Sequence, residues 1–130
     1  MTSPLEQLYA DTRALDLELL TALLEPYVWI DRDTADIRFR PAWASLKGPQ
    51  KVLTFLLAKK AKVLLNRAAE DSEPESPSGI EQATGIPGAT LRKTLSRLFD
   101  SRLVDKRDSA YFVPNYSLEA VSQTLSRDGS

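Results

Sequence analysis

Three patterns of apolar and polar residues divide this chain, and each marks a different kind of element. Over residues 5–25, Leu5, Leu8, Leu15, Leu19 and Leu23 form one helical stripe, which Leu17, Leu20 and Leu24 widen in the second half. The spacing predicts one long helix, with Ser3 as N-cap, Pro4 at the first helical position and Glu6 completing a capping box. A stripe that wide needs more cover than one neighbouring element gives. Pro26 ends it. Residues 27–31 and 36–40 then alternate in part, Ile37 and Phe39 on one face and Arg38 and Arg40 on the other, which predicts two strands around a turn at 32–35. Trp29 and Trp43 are expected to anchor this hairpin to the core. Residues 49–67 are apolar on almost every side except the one carrying Lys51, Lys59 and Lys62, the mark of a helix at the centre of a fold.

Residues 69–78 hold two prolines, three serines and four acids with no apolar anchor. They read as an exposed, mobile linker whose acids keep it away from phosphate. From Gly79 the pattern turns helical again. A short helix carrying Ile80 and Ala83 runs into Gly85-Ile86-Pro87-Gly88, where Gly85 can take the left-handed conformation that ends a helix. Pro87 has its φ preset for a turn or a first helical position. Beyond it, Leu91, Leu95 and Leu98 recur at helical spacing with Phe99 beside them, while Arg92, Lys93, Ser96 and Arg97 fall largely on other faces. Leu103-Val104 then leads into two short β-prone runs flanking Asp108-Ser109, a hairpin pattern with a weaker turn signal than Asn-Gly. Finally, residues 117–125 predict a short helix with Leu118, Val121 and Leu125 facing inward, Ser117 as N-cap and a frayed tail from 126.

Helix, turn, helix and hairpin in that order resemble the winged helix-turn-helix family. The resemblance covers residues 47 to about 114, with Ile80, Ala83, Gly85, Leu91, Leu95, Leu98 and Leu103-Val104 at its motif positions. One departure is Arg102, where the family usually carries a glycine to stop the second helix. The resemblance implies that this helix reads a DNA major groove and that the hairpin is the wing. The expected architecture is therefore mainly α with small β hairpins (α+β). It comprises an N-terminal helix and hairpin over 1–46, a winged-helix domain over 47–116 containing the acidic linker 69–78, and a C-terminal helix and tail over 117–130.

Charge sharpens this picture. The net charge is only −1, but residues 1–36 carry −6, residues 37–69 carry +8, residues 70–78 carry −4 and residues 79–130 carry +1. Such segregation permits a positive face on a nearly neutral molecule, and partner binding follows the local field. The expected partner is double-stranded DNA. Thr90, Arg92 and Lys93 stand at the start of the second helix, where Arg92 can pair with a guanine edge and Thr90 can meet a thymine methyl or a phosphate. Ser96 and Arg97 continue that face, and Lys106 and Arg107 suit backbone contact from the wing. The helix N-terminus adds amides and a dipole favourable to phosphate. The wide leucine stripe of the first helix suggests a homodimer.

Other chemistry finds little support. Cysteine and histidine are both absent, which removes thiol nucleophiles, disulfides, the commonest general base and the commonest zinc ligand. Residues 85–90 lack the lysine and spacing of a phosphate-binding loop. Asp31, Asp33 and Asp36 lack the glycine and distal glutamate of an EF-hand. No enzyme activity, cofactor, metal or small-molecule ligand is expected. No apolar run is long enough to span a membrane and no signal pattern opens the chain, so a cytoplasmic protein is expected. The competing expectation is an adaptor that uses the same fold on a protein partner.

Overall fold

The computed structural model describes residues 17–65 and 72–128. Ser3, Leu5, Leu8 and Leu15 of the expected first helix, the junction 66–71, and residues 129 and 130 lie outside them. The described chain is mostly helical with two small antiparallel hairpins, an α+β arrangement. The first helix (α1) is described over 17–24, and Leu20 and Leu24 are buried in the core with Leu19 and Leu23 packed beside them. Leu17 stays exposed.

The first hairpin pairs β1 (Val28–Ile30) with β2 (Ile37–Phe39), Trp29 opposite Arg38. Its turn is held by Asp31, whose Oδ1 accepts from the amides of Asp33 (2.9 Å) and Thr34 (3.0 Å). Ala35 completes it at φ 63°. Those amides stabilise the charged carboxylate and hold the Asp31 carboxyl below the usual carboxylate range, with Thr34 contributing most. The two tryptophans part company. Trp43 stacks on Phe39 with ring centroids 3.8 Å apart and packs against the core. Trp29, expected to be an anchor, is half exposed, and the Arg40 guanidinium lies 4.5 Å over its ring. The two-residue period explains this: β1 buries Val28, so its neighbour must face out.

A 3₁₀ turn at Pro41–Ser45 leads into α2 (Gly48–Leu64), which is the centre of the fold. Lys47 precedes it, its amide donating to Gln50 Oε1 at 2.8 Å. Leu53, Leu56 and Leu57 are fully buried, each stabilising the fold by about 1.5–3 kcal/mol through removal from water. The helix packs against α3, α4, β1 and β4.

The acidic segment departs from expectation. Its described part, 72–78, is built into the fold. Glu75 forms an antiparallel bridge with Tyr111 of the second hairpin, and Ser76 caps α3 (Pro77–Thr84) by accepting from the Gly79 amide at 3.1 Å. Ile80 is fully buried. Gly85 ends the helix at φ 74°, and α4 (Gly88–Asp100) begins after Pro87, which serves as its N-cap. Ile86, buried in the corner between them, packs towards Gly48 at the start of α2.

The end of α4 shows how Arg102 replaces the expected glycine. It adopts φ 61°, its amide donates to Phe99 O (3.0 Å), and the Leu103 amide donates to Leu98 O (2.9 Å). This is a Schellman closure formed without glycine, with Leu98 and Leu103 both buried beneath it. The second hairpin pairs β3 (Asp105–Arg107) with β4 (Ala110–Phe112), Lys106 opposite Tyr111. Asp108 (φ 51°) and Ser109 (φ 69°) both take the positive φ that a type I′ turn demands. A 3₁₀ turn at Asn115–Ser117 precedes α5 (Leu118–Asp128), which runs through part of the segment expected to fray. Ser117, expected as a cap, is buried and its hydroxyl donates to the Arg102 carbonyl at 2.7 Å. Leu118, Val121 and Leu125 face the core as their spacing requires.

Candidate nucleic-acid interface

α4 divides its residues cleanly. Leu91, Leu95 and Leu98 are buried together with Thr94, whose hydroxyl donates back to the Thr90 carbonyl at 3.1 Å. Thr90, Arg92, Lys93, Ser96 and Arg97 are all exposed. Thr90, Lys93 and Arg97 fall on one line of the helix surface, with Arg92 and Ser96 on the adjacent line. At 1.5 Å per residue the face from Thr90 to Arg97 is about 10 Å long. Among the described residues, no ion pair engages Arg92, Lys93 or Arg97. This leaves a short cationic strip on a helix whose opposite side is fixed in the core.

The hairpin cations do not act together. Side chains of adjacent strand residues point to opposite faces, and Lys106 and Arg107 are adjacent. The Lys106 ammonium lies 4.6 Å over the Phe99 ring and 5.7 Å from the Tyr111 ring, which ties it to the last turn of α4. Phe99, which the leucine spacing grouped with the core, is 38 % exposed beneath it. Arg107 instead sits 5.3 Å over Phe112 and borders a crevice formed by Lys60, Glu73, Pro74 and Asn115. The structure therefore brings six of the seven candidate residues to α4 or its end and turns Arg107 away.

The first turn of α4 is also less open than its sequence suggests. A β-carbon on Gly88 would lie 2.9 Å from Glu81 Oε1, so a carboxylate from α3 already stands beside the leading end of the helix. There it complements the helix dipole and opposes a phosphate approaching the same amides.

The lysines of α2 are sorted by their acidic neighbours. Lys59 Nζ lies 3.4 Å from Glu75 Oε1. Lys60, which is buried, lies 2.9 Å from Glu73 Oε2 and donates to Asn115 Oδ1 at 2.7 Å. Lys62 lines an open crevice with Lys59, Arg38, Asp36 and Glu75. Sequence reasoning missed Lys60, Glu73 and Asn115. The available signal was the block of four acids following directly on a segment with eight bases and no acid. Opposite blocks joined by a short segment can pair, and these do.

Among the described residues, no group of three or more acidic side chains stands close enough to hold a metal ion, and no helix is long and apolar enough to cross a membrane. The Asp31 carboxylate is engaged with its own turn. Comparison with known proteins finds no matching family model, no matching curated protein and no matching solved structure.

Proposed function

We propose that α3, the Gly85–Gly88 corner, α4 and the second hairpin form a winged helix-turn-helix that binds double-stranded DNA through α4. In this reading the protein acts as a dimeric transcription regulator or a plasmid- or phage-type accessory factor. The observation that carries it is the exposed strip of Thr90, Arg92, Lys93, Ser96 and Arg97 on a helix anchored by Leu91, Leu95 and Leu98. Cations held on a rigid rod can displace phosphate counterions, and side chains at its leading end can reach base edges. Two further features support the fold assignment. The elements follow the expected order, and the isolated Glu75–Tyr111 bridge ties the segment before α3 to the hairpin edge.

A second reading, an adaptor that holds a protein partner on the same face, is favoured by the mixed charge of the hairpin. Asp105 and Asp108 flank Lys106 and Arg107, and Arg107 is turned away from α4. Fluorescence titration of a random duplex separates the two readings. A DNA binder takes up the duplex at low salt, and an Arg92→Ala, Lys93→Ala variant loses that affinity while keeping its melting temperature. No uptake by the native protein at low salt favours the adaptor.

A further inference from the structure

Three of the five large apolar side chains left exposed among the described residues meet in one place. Leu17 (40 % exposed), Trp29 (49 %) and Leu65 (59 %) line a groove of about 380 Å³ between α1, the first hairpin and the end of α2, with Leu24 and Leu64 beneath them. Scattered exposed apolar residues are ordinary on a protein surface, but three converging on one groove are not. The groove is also polarised. Arg40 lines it beside Trp29, and Glu25 lines it from the turn that follows α1, with Glu18 on α1 close by. Among the described residues, none of Glu18, Glu25 and Arg40 is in an ion pair.

We propose that a second copy of this chain covers this groove, with α1 of each copy lying in the groove of the other about a two-fold axis. A two-fold interface must complement itself. This face does so, because it holds an apolar centre with acids on α1 and the turn after it and a cation at the end of the hairpin. Glu18 and Glu25 of one copy then meet Arg40 of the other. Tryptophan and arginine side by side are the residues that most often dominate binding energy in such contacts. The junction 66–71, which follows Leu65, has no apolar residue larger than alanine. Residues 1–16, which hold Leu5, Leu8 and Leu15, are the other occupant to test. The proposal rests on the dimeric part of the functional reading and not on its nucleic-acid part, and its test contains no DNA, so the two fail separately.

The test is sedimentation equilibrium of the full chain. The native protein is expected at the mass of two 14.5 kDa chains. Trp29→Glu and Leu65→Glu are each expected to give monomer with an unchanged circular-dichroism spectrum, since both side chains are about half exposed. Arg40→Glu is expected to weaken the dimer about tenfold or more, and adding Glu18→Arg with Glu25→Arg is expected to restore it. A monomeric native protein, as results if residues 1–16 cover the groove, overturns the proposal. So does a dimer that survives both Trp29→Glu and Leu65→Glu, or a charge reversal that the compensating pair does not rescue.

Discussion

Glu75 and Tyr111 exchange two backbone hydrogen bonds, the Glu75 amide donating to the Tyr111 carbonyl at 2.9 Å and the Tyr111 amide donating back at 2.8 Å. The pair sews the segment before α3 to the second hairpin and so fixes both ends of the α3–α4 unit. Its backbone and side-chain contributions can be separated. Glu75→Pro removes the donor and leaves the Tyr111 carbonyl without it, which should cost about 1–3 kcal/mol. Glu75→Ala keeps the bridge and loses the partly exposed ion pair to Lys59, worth about 0–1 kcal/mol, together with the exposed bond that Glu75 Oε2 accepts from the Ser76 amide at 3.2 Å. Urea unfolding of the two variants checks the difference.

Arg102 occupies a left-handed position that costs an L-residue about 1–2 kcal/mol relative to its ordinary backbone. The Schellman bonds and the Ser117 hydroxyl hold it there. Arg102→Gly should therefore stabilise the protein, by about 0.5–1 kcal/mol after the extra flexibility of glycine in the unfolded chain is subtracted. Thermal melts should show the rise, and a fall would mean that the arginine side chain holds the corner through contacts of its own.

Much of this fold was legible in the chain. The leucines of α4 and the glycine at position 85 predicted the helix, the corner and the inward face, because period and turn chemistry are local properties. The first hairpin followed from alternation, and the second from β-prone runs on either side of a polar turn. What stayed hidden depends on partners distant in sequence. Lys60 looks like any solubilising lysine until Glu73 and Asn115 close over it, and Ser76 looks like linker until Pro77 starts a helix behind it. The candidate site was legible as a face of α4 for the same local reason. The strand period alone implies that adjacent Lys106 and Arg107 face opposite ways. That Arg107 joins the crevice by Lys60, and that Glu81 stands beside Gly88, required the packing of separate elements.

The Lys60–Glu73 pair has a side-chain exposure of 6 % on the lysine and 14 % on the acid. Removing one member leaves a buried charge without its counter-ion, so Glu73→Ala should cost about 3–5 kcal/mol. Replacing both by apolar residues, Lys60→Met with Glu73→Leu, should cost less than the single change, because no charge is stranded. Denaturant midpoints of the single and double variants decide this, and equal losses would show that the charges are already solvated.

Asp31 gives the first hairpin a dependence on acidity. Its carboxyl is held below the usual range by the Thr34 and Asp33 amides, so it contributes stability above its unfolded value. That contribution is lost as pH falls through the lowered folded value. Native protein should therefore exceed Asp31→Asn in stability at neutral pH, and the gap should close in acid. Parallel urea titrations across that range would reveal a constant gap if the carboxylate charge is irrelevant.

The most direct measurement of the central claim is the salt dependence of binding to a random duplex, native protein against Arg92→Ala, Lys93→Ala. Each phosphate neutralised contributes about 0.9 to the slope of log K against log salt. If α4 meets the duplex through its exposed cations, native affinity falls steeply with salt, and the double variant binds more weakly with a slope shallower by about 1–2. Identical slopes and affinities for the two proteins, or no salt dependence at all, would contradict it.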